Sequence, residues 1–274
     1  MPFRDRPGAF LGKYTQDPRE FDPRKCYRLH MDAYDGTSFS AATTGTMRHA
    51  NFFRGVNATI THVMDYGEKV ANYYRITTVA STVASRGWLT DRVAGNQPAL
   101  TAGLAEMDFQ AMVRIPSEHV GNGVSVGFVA AHSAPGPDVY NQMAFEYYRT
   151  GVKDNNNWYA CTSLNNASAG ASITTRLDTG VSALDWNLLR VWINKEANRA
   201  VWSINDVVVR EETNPSLFPT WQNMVALGDI NANIVQSGTG MQACVRIRSD
   251  ASATNDAGSV DCNWMLYRYF REYA

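Results

Sequence analysis

The sequence predicts an all-β chain, a two-sheet antiparallel sandwich over residues 51–274 preceded by an extended N-terminal arm over residues 1–50. Three observations carry this. From residue 51 onward apolar and polar residues alternate in short runs, the period of half-buried strands. Clusters of Gly, Asn, Asp, Ser and Pro separate those runs, and hardly any stretch keeps a helical period. Apolar types make up 45% of the 274 residues, enough to fill a core between two layers.

The arm comes first. Pro2, Pro7, Pro18 and Pro23 are mixed with charges, and a small-residue run follows at 37–46. No period persists, so extended or irregular chain is expected. Its aromatics Phe3, Phe10, Tyr14 and Phe21, with Tyr27, are candidates for docking, either on a neighbouring subunit or back on their own domain.

Strands are expected at 58–63 and 73–83. Met107, Phe109, Ala111, Val113 and Ile115 then alternate with Asp108, Gln110, Met112 and Arg114, the clearest strand in the chain. A strand at 124–131 follows Gly121-Asn122-Gly123, whose Asn-Gly pair suits a tight turn. Further strands fall at 143–149, 158–164 and 173–178. Residues 186–194 put Leu189, Val191 and Ile193 on one face and Arg190 and Trp192 on the other. Two strands, 200–204 and 207–211, flank Asn205-Asp206 as a two-residue hairpin turn. Strands at 242–248 and 260–270 close the chain.

Composition bounds the function. The 25 basic and 26 acidic side chains give a net charge of −1, so no nucleic-acid partner read by bulk charge is expected. No apolar run is long enough to span a bilayer, so no membrane partner is expected either. The first residues carry charges throughout and no apolar stretch, unlike a secretory leader. The cysteines (Cys26, Cys161, Cys244, Cys262) lie far apart, which suits free thiols in a reducing compartment better than structural zinc. No histidine pair has ligand spacing, and 154–157 reads as a turn before it reads as a calcium loop. Phosphate-cradling glycine motifs and a nucleophile elbow are missing, so no cofactor and no metal are expected.

From residue 107 onward the strand pattern resembles the concanavalin A-like lectin/glucanase jelly roll, including its laminin-G-like branch. The residues that carry the resemblance are VSVGFVA (124–130), MAFEYYR (143–149), NNWYACTSL (156–164), DWNLLRVWIN (185–194), AVWSINDVVVRE (200–211) and SVDCNWMLYRY (259–269). It implies that the sandwich is a jelly roll. Laminarinase-like members carry E-x-D-x-x-E on one strand. Here Glu106 and Asp108 match, but Ala111 stands where the general acid belongs. A single carboxylate and its helper cannot both attack and protonate a glycosidic bond, so no enzyme activity is expected. The Arg-Glu-Arg and Gln-x-His elements of alginate-lyase-like members have no convincing equivalent.

If the apolar half of each strand faces the core, Asp108, Gln110, Arg114, Glu146, Tyr148, Arg190, Trp192, Arg246 and Arg248 point outward. Of these, Arg114, Glu146, Tyr148, Arg190, Trp192, Arg246 and Arg248 are candidates for binding a saccharide or a partner. Rings stack on a pyranose while polar groups fix its hydroxyls, and the same residue types anchor protein interfaces. They also serve as cross-strand packing pairs with solvated arginines.

The missing leader, the aromatic arm and the near-neutral sandwich, taken with the resemblance, imply a non-enzymatic bacteriophage virion structural protein. Proteins of that kind are capsid-decoration or cement proteins, or head-fibre or tail-fibre components, assembled in the host cytoplasm. Self-association is expected, as a homo-oligomer, a trimer being frequent among such proteins, with the arm docked to a capsid or tail protein and host glycans as a further partner. The second expectation is a lectin-like carbohydrate-binding domain, and the third a glycoside hydrolase or lyase of the same fold.

Overall fold

A computed structural model of the chain describes residues 26–33, 44–46, 52–65, 67, 70–80, 85–90, 102–130, 141–148, 155–166, 171–220, 222–223, 241–249 and 256–270. In chain order the strands are β1 (Cys26–Asp32), β2 (Thr44–Thr46), β3 (Phe52–Val56), β4 (Ala58–Met64), β5 (Asn72–Thr78), β6 (Arg86–Thr90), β7 (Glu106–Arg114) and β8 (Asn122–Ala130). They continue as β9 (Gln142–Tyr148), β10 (Asn157–Asn166), β11 (Ala171–Ser182), β12 (Asn187–Ile193), β13 (Ala200–Ile204), β14 (Val207–Glu212), β15 (Met241–Ser249) and β16 (Ser259–Phe270).

Two antiparallel sheets result, a jelly-roll sandwich. The first has the order β14-β13-β12-β7-β16-β5-β4, with β1 also pairing along β16. The second runs β11-β10-β9-β8-β15-β6-β3-β2. The alternation at 107–115 does what its period dictates: Met107, Phe109, Ala111, Val113 and Ile115 are all 0% exposed, packed between the layers. From the opposing sheet Val124, Val126, Phe128, Met143, Phe145 and Tyr147 join the same core. The Phe128 ring sits edge-on between Phe109 and Tyr267, with centroids 6.1 and 5.9 Å away.

Side-chain hydrogen bonds tie the layers together. The indole of Trp202 on β13 donates to the Ala144 carbonyl on β9 at 3.2 Å. Arg210 on β14 donates to the Ala160 carbonyl at 2.9 Å and the Thr175 hydroxyl at 2.6 Å, its guanidinium 5.0 Å from the Trp202 ring centre.

The hairpin turn expected at Asn205-Asp206 is present, with φ of 51° and 66°, the positive pair a tight right-twisted hairpin needs. Asn122 departs from expectation. It opens β8 and makes no hairpin turn; it is buried, accepts from the Thr78 hydroxyl at 2.8 Å and donates to the Asp256 carbonyl at 2.8 Å.

The arm expected over residues 1–50 is partly sheet. Cys26–Asp32 pair along the last strand from Phe270 to Trp264, and Thr44–Thr46 pair with β3. The physical reason is a short period-two run, Tyr27, Leu29, Met31, that brings Met31 into the core at 1% exposure. The docking candidates Phe3, Phe10, Tyr14 and Phe21 lie outside the described residues.

Candidate functional site

The seven outward candidates fall on two different outer faces. Arg114, Arg190 and Trp192 belong to the first sheet, together with Asp108 and Gln110. Glu146, Tyr148, Arg246 and Arg248 belong to the second.

The first sheet's polar groups are paired among themselves. Asp108, 2% exposed, takes Arg190 at 2.8 Å and is also held by Arg268. Glu106 accepts the Trp192 indole N–H at 3.0 Å. Arg114 lies 3.0 Å from the fully buried Asp261, which also receives Arg75 at 2.7 Å. The Arg114 guanidinium stacks over Trp186 and Tyr73 at 4.9 and 5.3 Å. Glu106 and Asp108, the partial glucanase match, are thus each held by a partner, and Ala111 is wholly buried in the core.

The second sheet's outer face holds a small open groove. Its position follows from β8. Three successive outward positions of that strand, Gly123, Ser125 and Gly127, are small, so the face is low there between β9 and β15, while at the strand's other end Val129 packs with Ala144 and Cys244. Register sets the walls. One row runs Tyr159–Glu146–Ser125–Arg246–Trp88 across five strands, and the next runs Tyr148–Gly123–Arg248–Arg86.

Within the groove the Glu146 carboxylate lies 3.0 Å from Arg176 of β11 and accepts from the Gln142 amide at 2.6 Å. Arg176 in turn covers the Tyr159 ring at 4.3 Å. Arg246 reaches the Ser125 hydroxyl at 3.5 Å, and Arg86 lies 5.8 Å over the Trp88 ring. Cys161 lies beneath, donated to by Gln142 at 3.3 Å. Burial pushes its thiol well above the ordinary value, and the neighbouring Glu146 charge adds to that. Cys244 and Cys262 are buried as well.

Arg176, Gln142 and Thr174 also line this groove and were not among the sequence candidates. Arg176 carried a signal: in ASITTRLD it alternates with Thr174 and Asp178 on one face. The turn at 154–157 is described from residue 155, where Asn155 and Asn157 donate to Asp178 at 2.5 and 2.9 Å. Among the described residues no cluster of three His, Cys, Asp or Glu could hold a metal ion, and no helix is long and apolar enough to cross a membrane.

The fold is a two-sheet jelly roll, and the outer face of its second sheet carries a depression lined by arginines, a tyrosine and hydrogen-bonding side chains. Among solved structures, a protein of unknown function from Shewanella oneidensis MR-1 is similar at a TM-score of 0.57 and 11% identity, over 91% of this chain and 90% of its own. The carbohydrate recognition domain of Emp47p has a TM-score of 0.45 at 14% identity, over 91% of this chain and 99% of that domain. An endo-1,3-β-glucanase from Streptomyces sioyaensis has 0.47 at 10% identity, over 91% and 98%. No protein-family model matches the chain, and no curated protein matches it.

Proposed function

We propose that the protein acts by binding, and that an extended saccharide lies in the groove on the outer face of the second sheet. The observation that supports this reading is the lowered strip on the outer face of the second sheet, where half-buried Tyr148 stands beside Gln142, Glu146, Thr174 and Ser125. A flat ring beside convergent hydroxyl, amide and carboxylate groups matches a sugar, which presents apolar C–H faces and a rim of hydroxyls.

A glycan array tests it. Binding is expected to weaken about tenfold in Tyr148→Ala, on the order of 1.4 kcal/mol, and to be unchanged in Trp192→Ala on the opposite face. No saccharide held at about 1 mM, or loss only in Trp192→Ala, overturns the reading.

A second reading is a subunit of a bacteriophage particle that self-associates. It is favoured by β14, the last strand of the first sheet, where Val207 and Val208 are 65% and 58% exposed. Exposed apolar side chains on an edge strand invite pairing with another chain. Removing residues 1–25 is expected to abolish assembly and leave the sandwich folded; light scattering that still shows the oligomer overturns it.

A further inference from the structure

We infer that two copies of this chain join edge to edge through β14, antiparallel about a two-fold axis at Val208. The first sheet then runs on from one copy into the other. The inference rests on the self-associating reading above and names its contact.

Only half of the β14 edge is guarded. Among the described residues its strand neighbour is β13, so the backbone N–H and C=O groups along its other side meet no strand. Native edges are shielded from other chains by charge, by bulges or by being short. The second half of β14, Arg210-Glu211-Glu212, carries charge at every position. The first half is Val207-Val208-Val209, with Val207 and Val208 exposed, and it follows the exposed turn Asn205-Asp206. β11, the edge of the second sheet on the same side of the sandwich, exposes the charges of Arg176 and Asp178. Three uncharged β-branched residues in a row suit strand pairing, and covering them removes apolar surface from water. A bulge makes Val209 the extra residue between Val208 and Arg210, and Val209 packs against the core. The bulge shortens the free run without charging it, so the contact is short and the dimer is expected to be weak.

Register follows from side-chain face and charge. Val207 and Arg210 lie on the core side, opposite Ile204 and Trp202, whereas Val208 faces out beside Ser203. Strands that continue one sheet pair residues of like face. With Val208 on the axis, it meets itself on the outer face, and Val207 meets Val209 of the second copy on the core side. All three valines are covered, and Asp206 faces Arg210 of that copy. Sliding the register by one residue sets Asp206 against Glu211, and by two against Glu212. Like charges directly opposite destabilise a strand pair. Slid the other way, Val209 meets Asp206 or Asn205 and loses its apolar partner. The strand is therefore its own complement, as a two-fold contact requires.

The experiment combines sedimentation of the full chain at up to about 1 mM with disulfide trapping. The parent, whose Cys161, Cys244 and Cys262 are buried, is the control and is expected to show a concentration-dependent dimer. A residue on the axis meets itself, so Val208→Cys is expected to give a covalent dimer on oxidation that reductant reverses. In Val207→Cys the two thiols stand two residues out of step, about 8 Å apart at Cα and beyond disulfide reach, so no link is expected. Val208→Lys sets like charges against each other on the axis and is expected to raise the dimer dissociation constant at least about tenfold. Its melting temperature should stay within a few degrees of the parent. An oligomer untouched by Val208→Lys and unlinked in Val208→Cys overturns the β14 contact and leaves self-association standing. Linking in Val207→Cys as readily as in Val208→Cys overturns the register and the inference with it. A parent that stays monomeric throughout overturns both the contact and the reading it rests on.

Discussion

Glu146 and Arg176 meet at 3.0 Å although β10 lies between their strands, so the pair closes over Cys161 as a lid. The thiol beneath is wholly buried, and both its burial and the Glu146 charge disfavour the thiolate. Since the thiolate is the reactive form, Cys161 is expected to resist iodoacetamide in the native protein near about pH 8 and to react once the chain is denatured. Glu146→Gln should leave it protected, because burial is the larger cause. Peptide mapping of the label checks this, and rapid native labelling at Cys161 would contradict it.

Asp261 is the most demanding charge on the first sheet. Wholly buried, it receives Arg75 through Nε and Nη2 at 2.7 and 2.9 Å, and Arg114 through Nε at 3.0 Å. Removing the carboxylate leaves Arg114, mostly buried, facing Arg75 with their shared counter-charge gone. Asp261→Ala is expected to cost about 3 kcal/mol, read from urea unfolding. A loss under about 0.5 kcal/mol, the range of an ordinary surface substitution, would show that water replaces the pair readily.

Gly127 lies on the lowered strand beside the groove, with φ of +141°. A Cβ there would come within 2.8 Å of the Met143 carbonyl and 2.9 Å of the Ala144 Cα, both backbone and unable to swing away. Gly127→Ala is therefore expected to destabilise by about 1–3 kcal/mol and to spread β8 from β9. The groove should suffer with it, since its floor is set by this strand. A variant as stable as the parent would mean that the two strands part at little cost.

Much of this architecture can be read from period and turn chemistry. The alternation at 107–115 and the Asn205-Asp206 hairpin depend on neighbours in sequence, and both are found as expected. β1 was hidden because its seven residues sit among prolines and charges and gain their partner from β16, at the other end of the chain. The site was half legible for a related reason. Alternation shows that Glu146, Tyr148, Arg190, Trp192, Arg246 and Arg248 point outward, but which outer face they share depends on pairings such as β8 with β15, distant in sequence. Arg176 was overlooked because beside Thr174 and Thr175 it reads as a solvated edge. Only the register carrying β11 past β10 brings it over Glu146.

The last prediction concerns acid. Burial alone would raise the Glu212 carboxyl, but the Arg210 guanidinium at 2.8 Å and the backbone N–H groups of Asn214 and Thr213 outweigh it and hold the group below its ordinary 4.5. A carboxyl depressed in the folded state binds its proton more weakly there than in the unfolded chain. Its contribution to stability is thus fully present above 4.5 and is lost as pH falls through the folded value. The pair matters beyond itself, because Arg210 is the side chain that crosses from β14 to Ala160 and Thr175 in the second sheet. Lowering the pH from about 6 to about 3.5 is expected to reduce the melting temperature, and Glu212→Gln, which has no proton to take up, is expected to show a shallower fall. Calorimetry of both proteins over that range makes the comparison. Parallel curves would show that Glu212 protonation contributes nothing and that other carboxylates govern acid unfolding.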